Sequence, residues 1–253
     1  MPKFSKFAKA SFMFSTLALA AVAPEGQKTS PVTPDPAKPT TSPVQPAAPA
    51  DAKASGPGPV IASTGVVDRA KKLGDTAPDF TLPDAQGGTF VLKDALVKGP
   101  VVLTWFRGEW CPFCNKQLVG LQERMKDFEA AGATVVAISP QTMDHTQATV
   151  TKDSVRFHML SDEGFKVGEA YGVKYEVPPA MKEQLKKYKL DLSKYNGGEG
   201  DALPLTVSYV IDQQGVIRYA FIDPDYTKRA SPDDLLAAVN KIKGGQTQST
   251  DKK

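Results

Sequence analysis

Two cysteines stand three residues apart in Trp110-Cys111-Pro112-Phe113-Cys114, and the chain holds no others. They follow an apolar run and precede a helical pattern. Residues i and i+3 share one face of a helix, so the two sulfurs can meet and close a disulfide with little backbone movement. Cys111 falls where the first turn begins. Pro112 suits the first helical position, because its missing N–H is one the helix would leave unpaired anyway. The positive end of the helix dipole and the free N–H groups there favour thiolate over thiol, which lowers a cysteine pKa and raises its reactivity. The expectation is thiol redox chemistry, with Cys111 the exposed low-pKa nucleophile and Cys114 its buried partner of higher pKa. The same spacing also serves half of a zinc site or a structural disulfide. Against zinc, there is no second Cys pair, and the only histidines, His145 and His158, are isolated. Against a structural role, a loop this short restrains little of the unfolded chain. No metal and no cofactor is expected.

The elements that position the pair read as one α/β domain with a mixed sheet. Residues 79–82 and 89–92, separated by Pro83-Asp84-Ala85-Gln86-Gly87-Gly88, predict a hairpin. Val101-Val102-Leu103-Thr104-Trp105-Phe106 is a continuous apolar run suited to a strand buried on both faces, and it leads straight to Cys111. Leu118, Leu121, Met125 and Phe128 recur at helical spacing before Gly132, which predicts a helix over residues 112–131. Residues 133–139 form the next strand, and the strand-helix-strand order implies a parallel pair. Further on, residues 143–152 read as a helix, 155–160 as a strand and 163–171 as a helix. Residues 207–211 and 216–221, joined by Asp212-Gln213-Gln214-Gly215, make a second hairpin, and residues 232–242 close with an amphipathic helix. The segment 175–202, helical over 181–188, reads as a lid, a dimer surface or simple packing.

The 253 residues, 41% hydrophobic, suffice for one such domain with appendages. Lys3, Lys6 and Lys9 precede an apolar stretch ending in Ala18-Leu19-Ala20 and Ala21-Val22-Ala23, the pattern of a cleaved secretory signal over residues 1–23. That stretch is too short for an ordinary membrane span. Residues 24–62 are Pro, Ala, Thr, Ser and Lys with almost no large apolar side chain, a composition that cannot bury enough surface to fold. The domain then covers 63–245, and 246–253 form a polar tail. An exported, periplasmic or extracellular protein is expected. The net charge of +3 is small and forms no basic stripe with interleaved aromatics, so nucleic acid is not an expected partner.

Several segments together resemble the alkyl hydroperoxide reductase / thiol-specific antioxidant (AhpC/TSA) family of the thioredoxin-fold superfamily. They are Gly74-Asp75-Thr76-Ala77-Pro78-Asp79-Phe80-Thr81-Leu82, Phe106-Arg107-Gly108-Glu109-Trp110-Cys111-Pro112-Phe113-Cys114, Leu160-Ser161-Asp162 with Ala170-Tyr171-Gly172-Val173, and Tyr209-Val210-Ile211-Asp212 with Gly215. The resemblance covers residues 73–243 and implies a peroxiredoxin-type, thioredoxin-like mixed central sheet flanked by helices. It implies a thiol peroxidase acting on hydrogen peroxide and organic hydroperoxides: Cys111 attacks the O–O bond and becomes a sulfenic acid, Cys114 resolves it, and a thioredoxin-like dithiol resets the disulfide. It also implies that the loop Leu203-Pro204-Leu205-Thr206 faces the cysteine, with Thr206 at the contact position and Pro204 two residues earlier. The family pattern places Pro seven and Thr or Ser three residues before the reactive cysteine, where this chain has Thr104 and Gly108. The arginine expected in the 203–206 loop is missing too. Arg107 can supply that charge, opposed by Glu109, and Trp110 shields the site. An envelope thiol-disulfide oxidoreductase of thioredoxin type is the competing reading, and a binding module with an idle site is a third.

Overall fold

The computed structural model describes residues 61–198 and 200–247. The signal expected over 1–23, nearly all of the 24–62 segment and the end of the tail lie outside the described residues. After a short helix, Val66–Arg69 (α1), the predicted hairpin forms from Thr81–Pro83 (β1) and Thr89–Val91 (β2), antiparallel with Leu82 opposite Phe90. Leu92, expected to end that strand, instead opens a helix, Leu92–Lys98 (α2), and buries its side chain there.

The apolar run becomes Val101–Trp105 (β3), buried along its whole length as a central strand must be. The helix expected over 112–131 is two helices, Pro112–Glu123 (α3) and Met125–Ala130 (α4), broken at Arg124. The Arg124 guanidinium reaches Asp127 and, far along the chain, Asp233. Thr134–Ser139 (β4) pairs parallel with β3 as predicted. Met143–Asp153 (α5) follows, and its left-handed cap Ser154 turns the chain so that the next strand starts late, at His158–Ser161 (β5). The helix expected over 163–171 shrinks to Lys166–Ala170 (α6), because Phe165 is itself left-handed.

Residues 174–204 hold more than the helix expected over 181–188, which starts slightly earlier, at Pro179. Lys174–Glu176 (β6) pairs antiparallel with Ala202–Pro204 (β7), and between them lie Pro179–Lys187 (α7) and Leu192–Tyr195 (α8). Ser208–Ile211 (β8) and Ile217–Phe221 (β9) form the second predicted hairpin, and Pro232–Thr247 (α9) is the last helix. The central sheet runs β5-β4-β3-β8-β9, parallel through β5, β4 and β3 and antiparallel beyond. No described helix is long and apolar enough to cross a membrane.

Side chains alternate across a strand, so this sheet feeds two separate cores. Leu103, Trp105, Val136, Ile138 and Tyr209 enter one of them, with Tyr171 and Tyr175. Val102, Val135, Ala137 and Val210 enter the other, with Leu118, Leu121, Phe128, Leu235 and Val239. Both cysteines belong to the second.

Candidate active site

Sheet pairing carries the chain to the site. Trp105 donates its N–H to the Val207 carbonyl at 3.0 Å, and Phe106 donates to Ile138 at 3.0 Å. Gly108, at φ +150°, then turns the backbone, and its carbonyl accepts the Cys111 N–H at 3.0 Å. Cys111 is the N-cap of α3, Pro112 is its first residue, and Asn115 N–H closes the first helical bond on the Cys111 carbonyl. The two sulfurs are 2.7 Å apart, both as free thiols.

The expected exposure of Cys111 is overturned: it is 1% exposed and Cys114 0%. The expected order of pKa values is overturned as well. Burial pushes the Cys111 thiol well up, and its contact with Cys114 pushes it further; no N–H of the helix start caps its sulfur. Burial acts on Cys114 in the same sense. There it is outweighed by the hydrogen bond from Cys111, by the charges of Arg229 and Arg107 and by the Arg107 N–H, which together bring the thiol down to about 5. The donors are specific: Arg107 N–H at 3.4 Å and Arg229 Nη2 at 3.3 Å, both on Cys114 Sγ. Of the two thiols, the second cysteine is therefore the more readily ionised, rather than the one at the helix N-cap.

Arg107 is 4% exposed, its guanidinium stacked 4.8 Å from the Trp110 ring and 4.0 Å from the Tyr226 ring. Its Nε is buried with no acceptor among the described residues. Burial alone would favour its neutral form, yet its pKa rises because Cys111, Tyr175, Cys114 and Tyr226 all stabilise the cation. Tyr175, on β6, is pushed up to about 12 by burial and stays a neutral phenol. Trp110 packs against both cores, as a shielding residue should, and its indole N–H also lacks an acceptor. A Cβ on Gly108 would lie 2.5 Å from that indole nitrogen and 2.6 Å from Gln141 Oε1. Gln141 Oε1 accepts the Glu109 N–H, while its Nε2 is a third unanswered donor. Glu109 itself turns away to His145, at 2.9 Å.

Of the residues expected at the site, Cys111, Cys114, Arg107 and Trp110 come together. Thr206 lies just before β8, where continuing the β3–β8 register sets it opposite Phe106, and its buried hydroxyl has no partner among the described residues. Pro204 departs from expectation. It is not in a loop but ends β7, opposite Lys174, because the apolar Ala202-Leu203-Pro204 segment completes a ribbon with β6. Arg229, Tyr226, Tyr175 and Gln141 were not foreseen. Arg229 and Tyr226 lie in the β9–α9 connection, whose signal is two acidic residues followed by two basic ones in Asp223-Pro224-Asp225-Tyr226-Thr227-Lys228-Arg229.

This chain resembles known proteins over the same segment. It is 32% identical to the chloroplastic peroxiredoxin Q of Triticum aestivum, over 77% of this chain and 78% of that one. It is 31% identical to peroxiredoxin Bcp of Escherichia coli K12, over 60% and 86%. The crystal structure of peroxidoxin BcpB from Mycobacterium tuberculosis aligns with a TM-score of 0.53 over 68% of this chain and 97% of that one; at 24% identity this likeness shows the shared thioredoxin-type fold. The AhpC/TSA family matches residues 73–220, which hold the sulfur pair, Arg107, Gln141, Tyr175 and the whole central sheet except its last residue, and the chain belongs to that family.

Proposed function

We infer that the protein is a peroxiredoxin-type thiol peroxidase that reduces a hydroperoxide at the Cys111–Cys114 pair. One observation carries the reading: two sulfurs 2.7 Å apart, closed from solvent, beside a buried guanidinium whose Nε has no acceptor. A hydroperoxide is small and accepts hydrogen bonds, which suits a closed site lined with unanswered donors. Cys111, which the resemblance puts at the reactive position, gives up its proton as it attacks one peroxide oxygen. The S–O bond forms as the O–O bond breaks, and the Cys111 proton ends on the leaving oxygen, giving water or an alcohol. Cys114 then displaces the sulfenic oxygen and closes the disulfide, which an external thioredoxin-like dithiol reduces by exchange. Hydrogen peroxide and organic hydroperoxides are the proposed substrates and protection from oxidative stress the proposed role.

Export is proposed with it. Three early lysines, an apolar core and small-residue sites support a cleaved leader, and the Pro/Ala-rich 24–62 segment suits a tether. N-terminal sequencing of native material tests this; an intact Met1 in the cytosol would overturn it.

Peroxide consumption with a dithiol donor, alongside nonreducing gels, tests the reaction. Cys114→Ser should keep the first peroxide reduction, lose turnover and over-oxidise; Cys111→Ser should lose both. The peroxidase reading fails if wild type consumes no peroxide while Cys114→Ser accumulates mixed disulfides with other proteins.

A further inference from the structure

Gln141 lies just past β4, and three hydrogen bonds hold it. Its backbone N–H donates to Ser139 Oγ at 3.3 Å, its carbonyl accepts the Ser161 hydroxyl at 2.6 Å, and its side-chain Oε1 accepts the Glu109 N–H. That last bond fixes which way the amide lies, because only its oxygen can accept from an N–H. Nε2 is left buried, with no acceptor among the described residues, on a side chain fully withdrawn from solvent. Trp110 Nε1 is in the same condition, on an indole held by the Arg107 guanidinium 4.8 Å from its ring. The two side chains border one spot: a Cβ on Gly108 would lie 2.5 Å from Trp110 Nε1 and 2.6 Å from Gln141 Oε1. Glycine keeps that spot free of a side chain. The Gly108 carbonyl accepts the Cys111 N–H, so it belongs to the same short turn as the first sulfur. A buried N–H without a partner is costly, and two beside one clear spot mark a place for an acceptor.

We propose that Gln141 and Trp110 are the substrate-holding residues of the site, their neutral N–H groups donating to the oxygens of the hydroperoxide beside Gly108. The proposal rests on the peroxidase reading above and names the substrate contacts of that site. A peroxide oxygen carries lone pairs and no net charge, which suits neutral donors. As the Cys111 sulfur bonds to one oxygen and the O–O bond breaks, the other oxygen gains negative charge until it takes the thiol proton. Fixed donors in a closed site stabilise that charge more than they stabilise the neutral peroxide, so these bonds count most in the transition state. Neither an indole nor an amide titrates where thiols do, so the contribution is the same on both sides of thiol ionisation.

Single-turnover consumption of hydrogen peroxide by the reduced protein, set against alkylation of the same thiols by iodomethane, tests it. Iodomethane is small and accepts no hydrogen bond, so it reads access and sulfur reactivity alone. Trp110→Phe keeps a ring and loses the N–H; Gln141→Met keeps the volume and loses the amide. Each should lower the second-order rate constant for hydrogen peroxide about 10- to 100-fold, while the iodomethane rate changes less than about twofold. The midpoint of the pH–rate profile should stay where it is in wild type. Peroxide and iodomethane rates that fall together would mean a structural role and overturn the proposal, as would variants that keep the wild-type peroxide rate. Where Gln141→Met does not fold, Trp110→Phe decides alone. A wild type that is alkylated but consumes no hydrogen peroxide overturns the peroxidase reading, and this assignment with it.

Discussion

Gly108 shows how one backbone angle reshapes the chemistry beside it. With Cys111 taken as the reactive cysteine, the resemblance implied a hydroxyl residue here. In this chain φ is +150°, and any Cβ would run into the Trp110 indole nitrogen and the Gln141 amide oxygen. A side chain there is excluded by space, and two N–H groups beside it, Trp110 Nε1 and Gln141 Nε2, have no acceptor among the described residues. Gly108→Thr should therefore lower the peroxide rate and cost about 1–3 kcal/mol of stability by melting, from strain and crowding together; a faster enzyme would refute this. The acid limb of turnover follows from Cys114. A thiol depressed to about 5 is charged above that value and protonated below it, so disulfide closure should be level through neutral pH and fail as acidity passes about 5. At this scale the sequence was legible where residues are contiguous: Arg107, Trp110, Cys111 and Cys114 lie within eight positions, and one strand end and one helix start place them together. It was silent on which sulfur carries the charge. That is set by Arg229, 115 positions from Cys114, and no local pattern encodes such a contact.

Elements followed their patterns wherever burial was one-sided or complete and failed where single residues intervened. The run 101–106 and the spacing of Leu118 and Leu121 gave β3 and α3; the break at Arg124, whose side chain pairs with Asp233 of α9, had no signal in the spacing. The β6–β7 ribbon escaped notice because each strand has only three residues, too few to show a period. The start of α6 depends on Asp162, a buried carboxyl that accepts the Val167 and Gly168 N–H groups at 3.1 and 2.7 Å. Burial outweighs those bonds and lifts it to about 6, from an ordinary 3.8. Between these values the folded state binds more protons than the unfolded chain, so this carboxyl lowers stability as pH rises from about 3.8 to 6. Denaturant unfolding across that window should show the decline in wild type and a flatter profile in Asp162→Asn. An identical slope in both proteins would remove Asp162 as its source.

The whole sheet separates two cores, and only one of them holds the cysteines. Leu103 and Leu118 are both fully buried, on opposite faces. Truncating either to Ala should cost about 2–5 kcal/mol, yet only Leu118→Ala, four residues along α3 from Cys114, should speed alkylation of the cysteines. Equal alkylation in the two variants would mean that the faces are not independent. The long span from Cys114 to Arg229 has a consequence for a chain still being made. Both cysteines leave the ribosome more than a hundred residues ahead of the arginine that meets Cys114. Until that arginine arrives and the β9–α9 connection docks, the two thiols titrate as ordinary cysteines, with a pKa of about 8.5, and are mostly protonated at neutral pH. Newly made protein is thus chemically quiet, and Cys114 becomes the more acidic sulfur only once the segment that carries Arg229 has been made and has docked.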